Sequence, residues 1–265
     1  MLPFFRKIRW RLAQDNQFLK YARYAIGEIV LVVVGILIAL QINNWNEHSK
    51  EQDRIKAHLG SLKTCLQEDL TWLENLRQME LFRYHSMKKL LEFSDVSNLT
   101  VSGNLEDNAM AYEPMWIWDQ ELPKSPDSTF VQIAFSWTGR HLPMLPNTQC
   151  IEEIKNDGLF SKIQSKEIKS GLANYYRQLE FRLKTFENRR ISDEEAWEIS
   201  LRKDGVRFID VSSYDNPLNL IRENIDNQVL LKNLAGGAIW RAEGADVLIN
   251  ILAENLALID EELKN

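Results

Sequence analysis

The sequence predicts a mainly α-helical protein, in which one N-terminal transmembrane helix is followed by an antiparallel helical bundle with an irregular aromatic-rich insertion. Three observations support this fold class: an uninterrupted apolar run at 29–40, leucines that recur every three or four residues, and a proline-containing stretch that interrupts them. The 265 residues therefore divide into a basic cytoplasmic segment (1–23), a transmembrane helix (24–42) and a periplasmic helical domain (43–265), which contains the insertion (94–148).

The transmembrane helix is predicted from nineteen residues, Tyr24 to Ile42. At 1.5 Å per residue they span about 28 Å, close to the thickness of the hydrocarbon layer. Tyr24 and Trp45 mark its two ends, as expected for aromatic rings at the headgroup level. A cleaved signal peptide is the alternative, but the preceding basic stretch is long and Ala39-Leu40-Gln41 is not a small-residue cleavage site. The pattern favours an uncleaved anchor.

Charge predicts the orientation of this anchor. Residues 1–25 carry six Lys and Arg residues against Asp15, a net charge of +5, so the other 240 residues carry −11 of the total of −6. Basic segments remain in the cytoplasm, which places the large domain across the bacterial inner membrane, in the periplasm of a Gram-negative cell. The acidic body also argues against nucleic acid as a partner, because phosphate binding needs a clustered positive surface.

Two features within the span could do more than anchor the chain. Gly35 and Ala39 form a small-x-x-x-small step, which would allow two such helices to approach closely. Glu28 is an ionisable residue inside the apolar stretch, where a carboxylate is costly and often functional. It lies about one turn inside Tyr24, so snorkelling to the headgroups also explains it.

Several stretches resemble one known family. FFRKIR and YAIGEIVLVVVGILIALQINNWNE at the N-terminus, MLPNTQCIEEIKNDG at 144–158 and the pair Tyr175-Tyr176 are similar to an uncharacterised family of single-pass membrane proteins from Bacteroidota. Asp157 stands where a serine is more usual in that family. The resemblance implies a domain of unknown function, and it supplies no activity and no catalytic residues.

An amphipathic helix is predicted directly after the anchor, from about residue 47 to 93. Apolar residues recur along it at three- and four-residue steps: Ile55, Leu59, Leu62, Leu66, Leu70, Leu73 and Leu76. No proline separates this stretch from the membrane segment, so the two could form one helix, with Gly60 as a weak point.

The insertion at 94–148 contains five prolines, and these disfavour long helices. Thr129 to Phe135 has some strand character. Its tryptophans, Trp116, Trp118 and Trp137, have two explanations: the rings close the open end of the bundle, or they form an interaction surface, since Trp is enriched in such surfaces.

Helices are predicted to return after the insertion. The first runs from Thr148 to about Gly158, and a heptad-like series typical of a core-facing or coiled-coil helix follows: Ile168, Leu172, Tyr175, Leu179, Leu183 and Phe186. Another begins at Pro217 and is expected to break at Gly236-Gly237 before the last helix, whose seam is Leu248, Ile251, Asn255, Ile259 and Glu262.

Motifs for chemistry are absent from the sequence. The four histidines occur singly, and no nucleophile elbow or phosphate-binding loop is present, so we expect no catalytic residues, no metal and no cofactor. Cys65 and Cys150 are either a disulfide or two separately buried thiols, because sequence alone does not show their separation.

Two functions from different classes remain. The first is a non-enzymatic envelope scaffold or interaction module that is held on the lipid bilayer and binds a protein partner or its own copies. The alternative is a periplasmic ligand-binding sensor. Because only about 25 residues lie on the cytoplasmic side, a sensor would act through a separate transducer.

Overall fold

The computed structural model describes residues 17–96, 118, 120–140, 147–212 and 214–264. These residues form six α-helices and one 3₁₀ helix, numbered in chain order: α1 (Gln17–Phe93), α2 (Ser128–Thr138), α3 (Gln149–Asn156), the 3₁₀ helix (Phe160–Lys162), α4 (Lys166–Lys203), α5 (Asn219–Arg222) and α6 (Ile225–Lys264). The chain divides into two compact units between Ala57 and His58, within α1. The predicted mainly α-helical fold is therefore confirmed.

The first unit contains the apolar stretch. Twelve large apolar side chains between Ile26 and Ile42 are each 45–75% exposed, and Trp45 is 73% exposed. Burying one such side chain is worth about 1.5–3 kcal/mol, so this surface is strongly disfavoured in water. It is the one helix among the described residues that is long and apolar enough to span a membrane.

The predicted anchor residues all lie on this helix. Glu28, Gly35 and Ala39 are exposed, and a Cβ added at Gly35 would meet no atom within 4 Å. Tyr24 belongs to α1, but its side chain lies outside the described part of the structure. Close to the end of the apolar stretch, Asn43 donates a hydrogen bond to Glu47 at 3.0 Å along the helix surface.

The second unit is a bundle of three long helices: α1 from His58 onward, α4 and α6. Lys63 pairs with Asp260, Arg77 with Asp246, and Arg241 with Glu80, so residue numbers fall on α6 as they rise on α1. These two helices are antiparallel. Tyr175 contacts Asp69 and Glu194 contacts Arg83, so α1 and α4 run parallel. Because α1 and α4 are parallel, the chain must return along the bundle before α4 begins, and residues 94–165 make this connection.

The core is built from the predicted apolar stripes. On α1 the buried positions include Leu59, Leu62, Leu66, Leu73 and Leu76; on α4 they include Ile168, Leu172, Tyr175 and Leu179; on α6 they include Leu248, Leu252, Asn255 and Ile259. Helices α4 and α6 approach closely at Gly171, where an added Cβ would lie 2.3 Å from Asn255 Oδ1. A larger side chain at this position would therefore force the buried Asn255 side chain to move.

The insertion contains a helix where the sequence indicated strand character. Residues 128–138 form α2, so the strand interpretation of Thr129 to Phe135 was wrong. The Asp127 side chain caps this helix by accepting a hydrogen bond from Phe130 N at 2.7 Å. Phe130, Val131, Ala134 and Phe135 are buried at helical spacing, and tertiary packing therefore selects the helix.

The predicted break at Gly236-Gly237 was also wrong, because α6 continues through both residues. Leu234, Ala235, Ala238 and Ile239 around them are buried. Glycine costs about 1 kcal/mol relative to alanine inside a helix, and burial of these neighbours outweighs that cost. Gly60 likewise does not interrupt α1.

Candidate functional site

A buried ionic network joins the three long helices to α2. Arg83, on α1, donates to Glu80 on the same helix at 2.9 Å and to Glu194 on α4 at 3.2 Å. Arg241, on α6, pairs with Glu80 at 3.2 Å, and Arg190 pairs with Glu194. The side chains of Glu80 and Arg83 are 0% and 2% exposed, so neither charge is compensated by water.

The same arginine caps the C-terminal end of α2. Arg83 Nε donates to the carbonyl of Trp137 at 3.1 Å, and Nη2 donates to the carbonyl of Thr138 at 2.9 Å. The last carbonyls of a helix lack intrahelical partners and carry partial negative charge. The Trp137 and Thr138 carbonyls therefore give Arg83 two acceptors in addition to the two glutamates.

A second contact fixes α2 on α4. The Trp197 indole, fully buried on α4, donates to Thr138 Oγ1 at 2.8 Å, and that hydroxyl donates to the carbonyl of Phe135 at 2.7 Å. The Phe135 and Trp197 rings are stacked with centroids 6.3 Å apart. The end of α2 is therefore held by charge, hydrogen bonds and ring packing together.

This attachment presents Trp137 at the edge of the domain. The ring is half-buried, packs edge-on against Phe82 with centroids 6.1 Å apart, and lies 5.4 Å from the guanidinium carbon of the exposed Arg140. Phe208 lies against the adjacent Gly139, where an added Cβ would meet its ring at 3.0 Å. Ile209, next in the chain, is 44% exposed. We call Trp137, Arg140, Phe208 and Ile209 the aromatic edge.

The structure places two of the candidate tryptophans, Trp118 and Trp137, in different surroundings. Trp118 is only 7% exposed, packs on Phe130 with centroids 5.1 Å apart, and donates its indole N–H to the carbonyl of Glu121 at 3.2 Å. Its ring and that of Phe93 both pack on Phe130, which favours closure of the bundle over an interaction surface for this residue. Trp137 keeps an accessible part, and Trp116 lies outside the described residues.

A second polar cluster lies where α3 meets α1 and α4. Asp69, which is 4% exposed, accepts hydrogen bonds from the backbone N–H of Asn147 and from the Tyr175 hydroxyl, both at 2.9 Å. The Asn147 side chain also donates to Glu68 at 3.0 Å. Cys65 and Cys150 form a disulfide beside this cluster, which resolves the alternative left open by the sequence.

Burial dominates the electrostatics of this cluster. It raises the pKa of Asp69, although the hydrogen bonds from Asn147 and Tyr175 act in the opposite direction. Burial also raises the pKa of Tyr175 and of Tyr176, and the neighbouring Asp69 carboxylate adds to both shifts. Both phenols therefore stay protonated, and Tyr175 serves as a hydrogen-bond donor to Asp69.

Sequence reasoning missed Asp69, Glu80 and Arg83. A signal for them exists, because the leucine stripe of α1 continues at three- and four-residue steps through residues 66, 69, 73, 76, 80, 83, 87 and 90. A charged residue at a stripe position has to be buried, and it then requires a partner. The partners Tyr175, Glu194 and Arg241 lie more than 100 residues away, so the stripe alone could not identify them.

One comparison with known families gives a match. Residues 28–100 match the model of a family described as "Family of unknown function (DUF6090)". No curated protein and no solved structure matches the chain. The matched stretch contains the α1 residues of both polar clusters, including Asp69, Glu80 and Arg83, whereas their partners on α4 and α6 lie outside it.

Proposed function

We propose that this protein is a non-enzymatic, single-pass envelope protein of the Bacteroidota type. In this proposal the N-terminus lies in the cytoplasm, α1 crosses the inner membrane, and the helical domain holds a protein partner or a second copy of itself in the periplasm. The observation that carries the proposal is the exposed apolar surface between Ile26 and Ile42, which lipid would cover.

The proposed orientation rests on charge and on the disulfide. Six basic residues precede the apolar stretch, and such residues are retained on the cytoplasmic side. Disulfides form and persist in oxidising compartments such as the bacterial periplasm, and the second unit contains one between Cys65 and Cys150. Both features favour the same orientation.

The interaction role is supported by the aromatic edge. Trp137 is held in place by the Arg83 hydrogen bond and by Phe82, so presenting it to a partner costs little conformational entropy. Trp and Arg are the residues most often found at energetic centres of protein interfaces. Arg140 adds a positive charge beside the ring, which favours a partner surface with a carboxylate near an apolar group.

Cross-linking in intact membranes tests this role. An amine- and carboxyl-reactive cross-linker is applied to cells expressing the full chain, and products are sized after gentle solubilisation. We expect wild type to give a defined cross-linked species. Arg140→Glu should lose most of it, because the substitution reverses the charge that is proposed to face a partner carboxylate. Arg140 is exposed, so this change leaves the core intact.

Phe181→Ala is the matched control, since Phe181 is an apolar ring 55% exposed elsewhere on the domain. It should retain the cross-linked species. A wild-type chain that is a monodisperse monomer without cross-linked partner would overturn the interaction role. Stabilisation of that monomer by a small molecule in a thermal-shift screen would instead favour the sensor alternative.

A further inference from the structure

Helix α3 lies along α1 and is attached to it in its first turn and beyond both of its ends. The Cys65–Cys150 disulfide is the attachment in the first turn. The backbone N–H of Asn147 bonds to Asp69 on one side, and the His58 Nε2 lies 3.0 Å from the Asp157 carboxylate on the other. The partners of Asn147, Cys150 and Asp157 on α1 have falling residue numbers, so α3 and α1 are antiparallel. We call residues 147–157 the strap; it ends before Gly158 and before Leu159 and Ile163, which are buried in the core.

The strap buries few of its own side chains. Helix α3 has eight residues and two buried side chains, Ile151 and Ile154, and Thr148 at its N-cap makes no side-chain capping bond. Helices of this length are unstable alone. The His58–Asp157 pair is 24% and 43% exposed, and pairs this exposed add little stability.

The strap covers polar groups that the bundle does not otherwise seal. Asp69 loses a hydrogen-bond donor if Asn147 leaves. Tyr176, on α4, lies beneath Lys155, whose ammonium is 6.0 Å from the ring centroid. The bundle itself does not depend on the strap, because α1, α4 and α6 contact one another directly through Lys63–Asp260, Arg77–Asp246 and the Arg83 network.

We propose that the Cys65–Cys150 disulfide is a redox latch: oxidised, it holds the strap on α1, and reduced, it lets the strap leave while the three-helix bundle stays folded. The inference goes beyond the proposed function, and its test does not depend on where the domain lies. Release exposes Asp69, Tyr175 and Tyr176 as a surface that the oxidised protein keeps covered.

The chemistry is thiol–disulfide exchange with a dithiol reductant. A thiolate of the reductant attacks Sγ of Cys150, which is more exposed than Cys65, and the S–S bond breaks with Cys65 leaving as a thiolate. The second thiol of the reductant then displaces Cys150. The protein gains two electrons and two protons as two thiols, and the reductant becomes a disulfide.

Hydrogen exchange followed by mass spectrometry tests the latch on the full chain in detergent micelles. Dithiothreitol is the reductant, and alkylation of both thiols verifies reduction. We expect amides at 149–157 to exchange at least about tenfold faster after reduction, while those at 172–182 on α4 and 245–259 on α6 change less than about twofold. Unchanged protection of 149–157 overturns the proposal, as does equal loss across all helices.

Two variants complete the test. The Cys65→Ser, Cys150→Ser double variant should show the fast strap without reductant, and dithiothreitol should not change it further. His58→Gln removes only the exposed pair and should keep the strap protected to within about twofold of wild type. If His58→Gln frees the strap as much as reduction does, the disulfide is not the latch.

Discussion

Replacing Arg83 by methionine should strongly destabilise the second unit. Methionine approximates the length and the apolar part of arginine, so the cavity term is small and the loss is mainly electrostatic. The substitution removes one of the two arginines that contact the fully buried Glu80 in the described structure, and it removes the donors to the Trp137 and Thr138 carbonyls. Breaking a buried ion pair by removing one partner costs about 3–5 kcal/mol.

The lost caps add to that value. A buried acceptor without its donor costs about 1–3 kcal/mol, and two carbonyls are affected, although relaxation of α2 recovers part of this. We therefore expect Arg83→Met to lower the free energy of unfolding by about 4–6 kcal/mol. That is a large share of the 5–15 kcal/mol typical of a folded domain.

Urea-induced unfolding of the full chain in a mild detergent, followed by circular dichroism, measures this loss. Arg202→Met is the matched control, because Arg202 forms an i,i+4 pair with Glu198 on the surface of α4 and is 63% exposed. Its cost should stay below about 1 kcal/mol. Equal midpoints for the Arg83 and Arg202 variants would refute the reasoning that the buried network holds α2.

Three further predictions concern Asp69 and the glycines of α4 and α6. Because burial raises the pKa of Asp69, the folded chain binds its proton more tightly than the unfolded chain, so stability from this group falls as pH rises above 3.8. On going from pH 7 to pH 4, the urea midpoint of wild type should therefore rise relative to that of Asp69→Asn; an equal difference between the two proteins at both pH values contradicts this. Gly236→Ala and Gly237→Ala should each raise the unfolding free energy by about 0.5–1 kcal/mol, since an added Cβ meets no atom within 4 Å at either site. Gly171→Ala should instead lower it by about 1–3 kcal/mol because the buried Asn255 side chain must move, and a stabilised Gly171→Ala variant would show that this side chain moves without cost.

The sequence predicted the elements that have a strong local pattern. The apolar stretch, the leucine stripe of α1, the heptad series of α4 and the seam of α6 all give the correct helices, because burial of one helix face leaves a period of three to four residues. The position of the aromatic insertion between α1 and the later helices followed from its prolines.

The errors occurred where tertiary contacts decide the structure. Helix α2 depends on the Asp127 cap and on burial of Phe130 and Phe135 against distant residues, so a local pattern with β-branched and aromatic residues read as a strand. The continuity of α6 at Gly236-Gly237 depends on packing of the neighbouring residues. The disulfide depends on the 6.4 Å separation of two Cα atoms that lie 85 residues apart in the chain.

The candidate site was only partly predictable for the same reason. Trp137 was identified by residue type, but so was Trp118, and only the fold separates the half-buried ring from the buried one. Glu80 and Arg83 were hidden among the many charges of an amphipathic helix. Their identification requires the partner helices, whose register along α1 is not encoded in any local stretch.

We propose that the apolar part of α1 crosses the membrane and places the helical domain outside the cytoplasm. A topology reporter that is active only outside the cytoplasm, fused after Asn265, tests this most directly, with a second reporter that fluoresces only inside the cytoplasm as its complement. The account predicts an active outside reporter and a dark inside reporter in the membrane fraction. A fluorescent inside reporter, or full-length protein in the aqueous fraction after lysis, would contradict it.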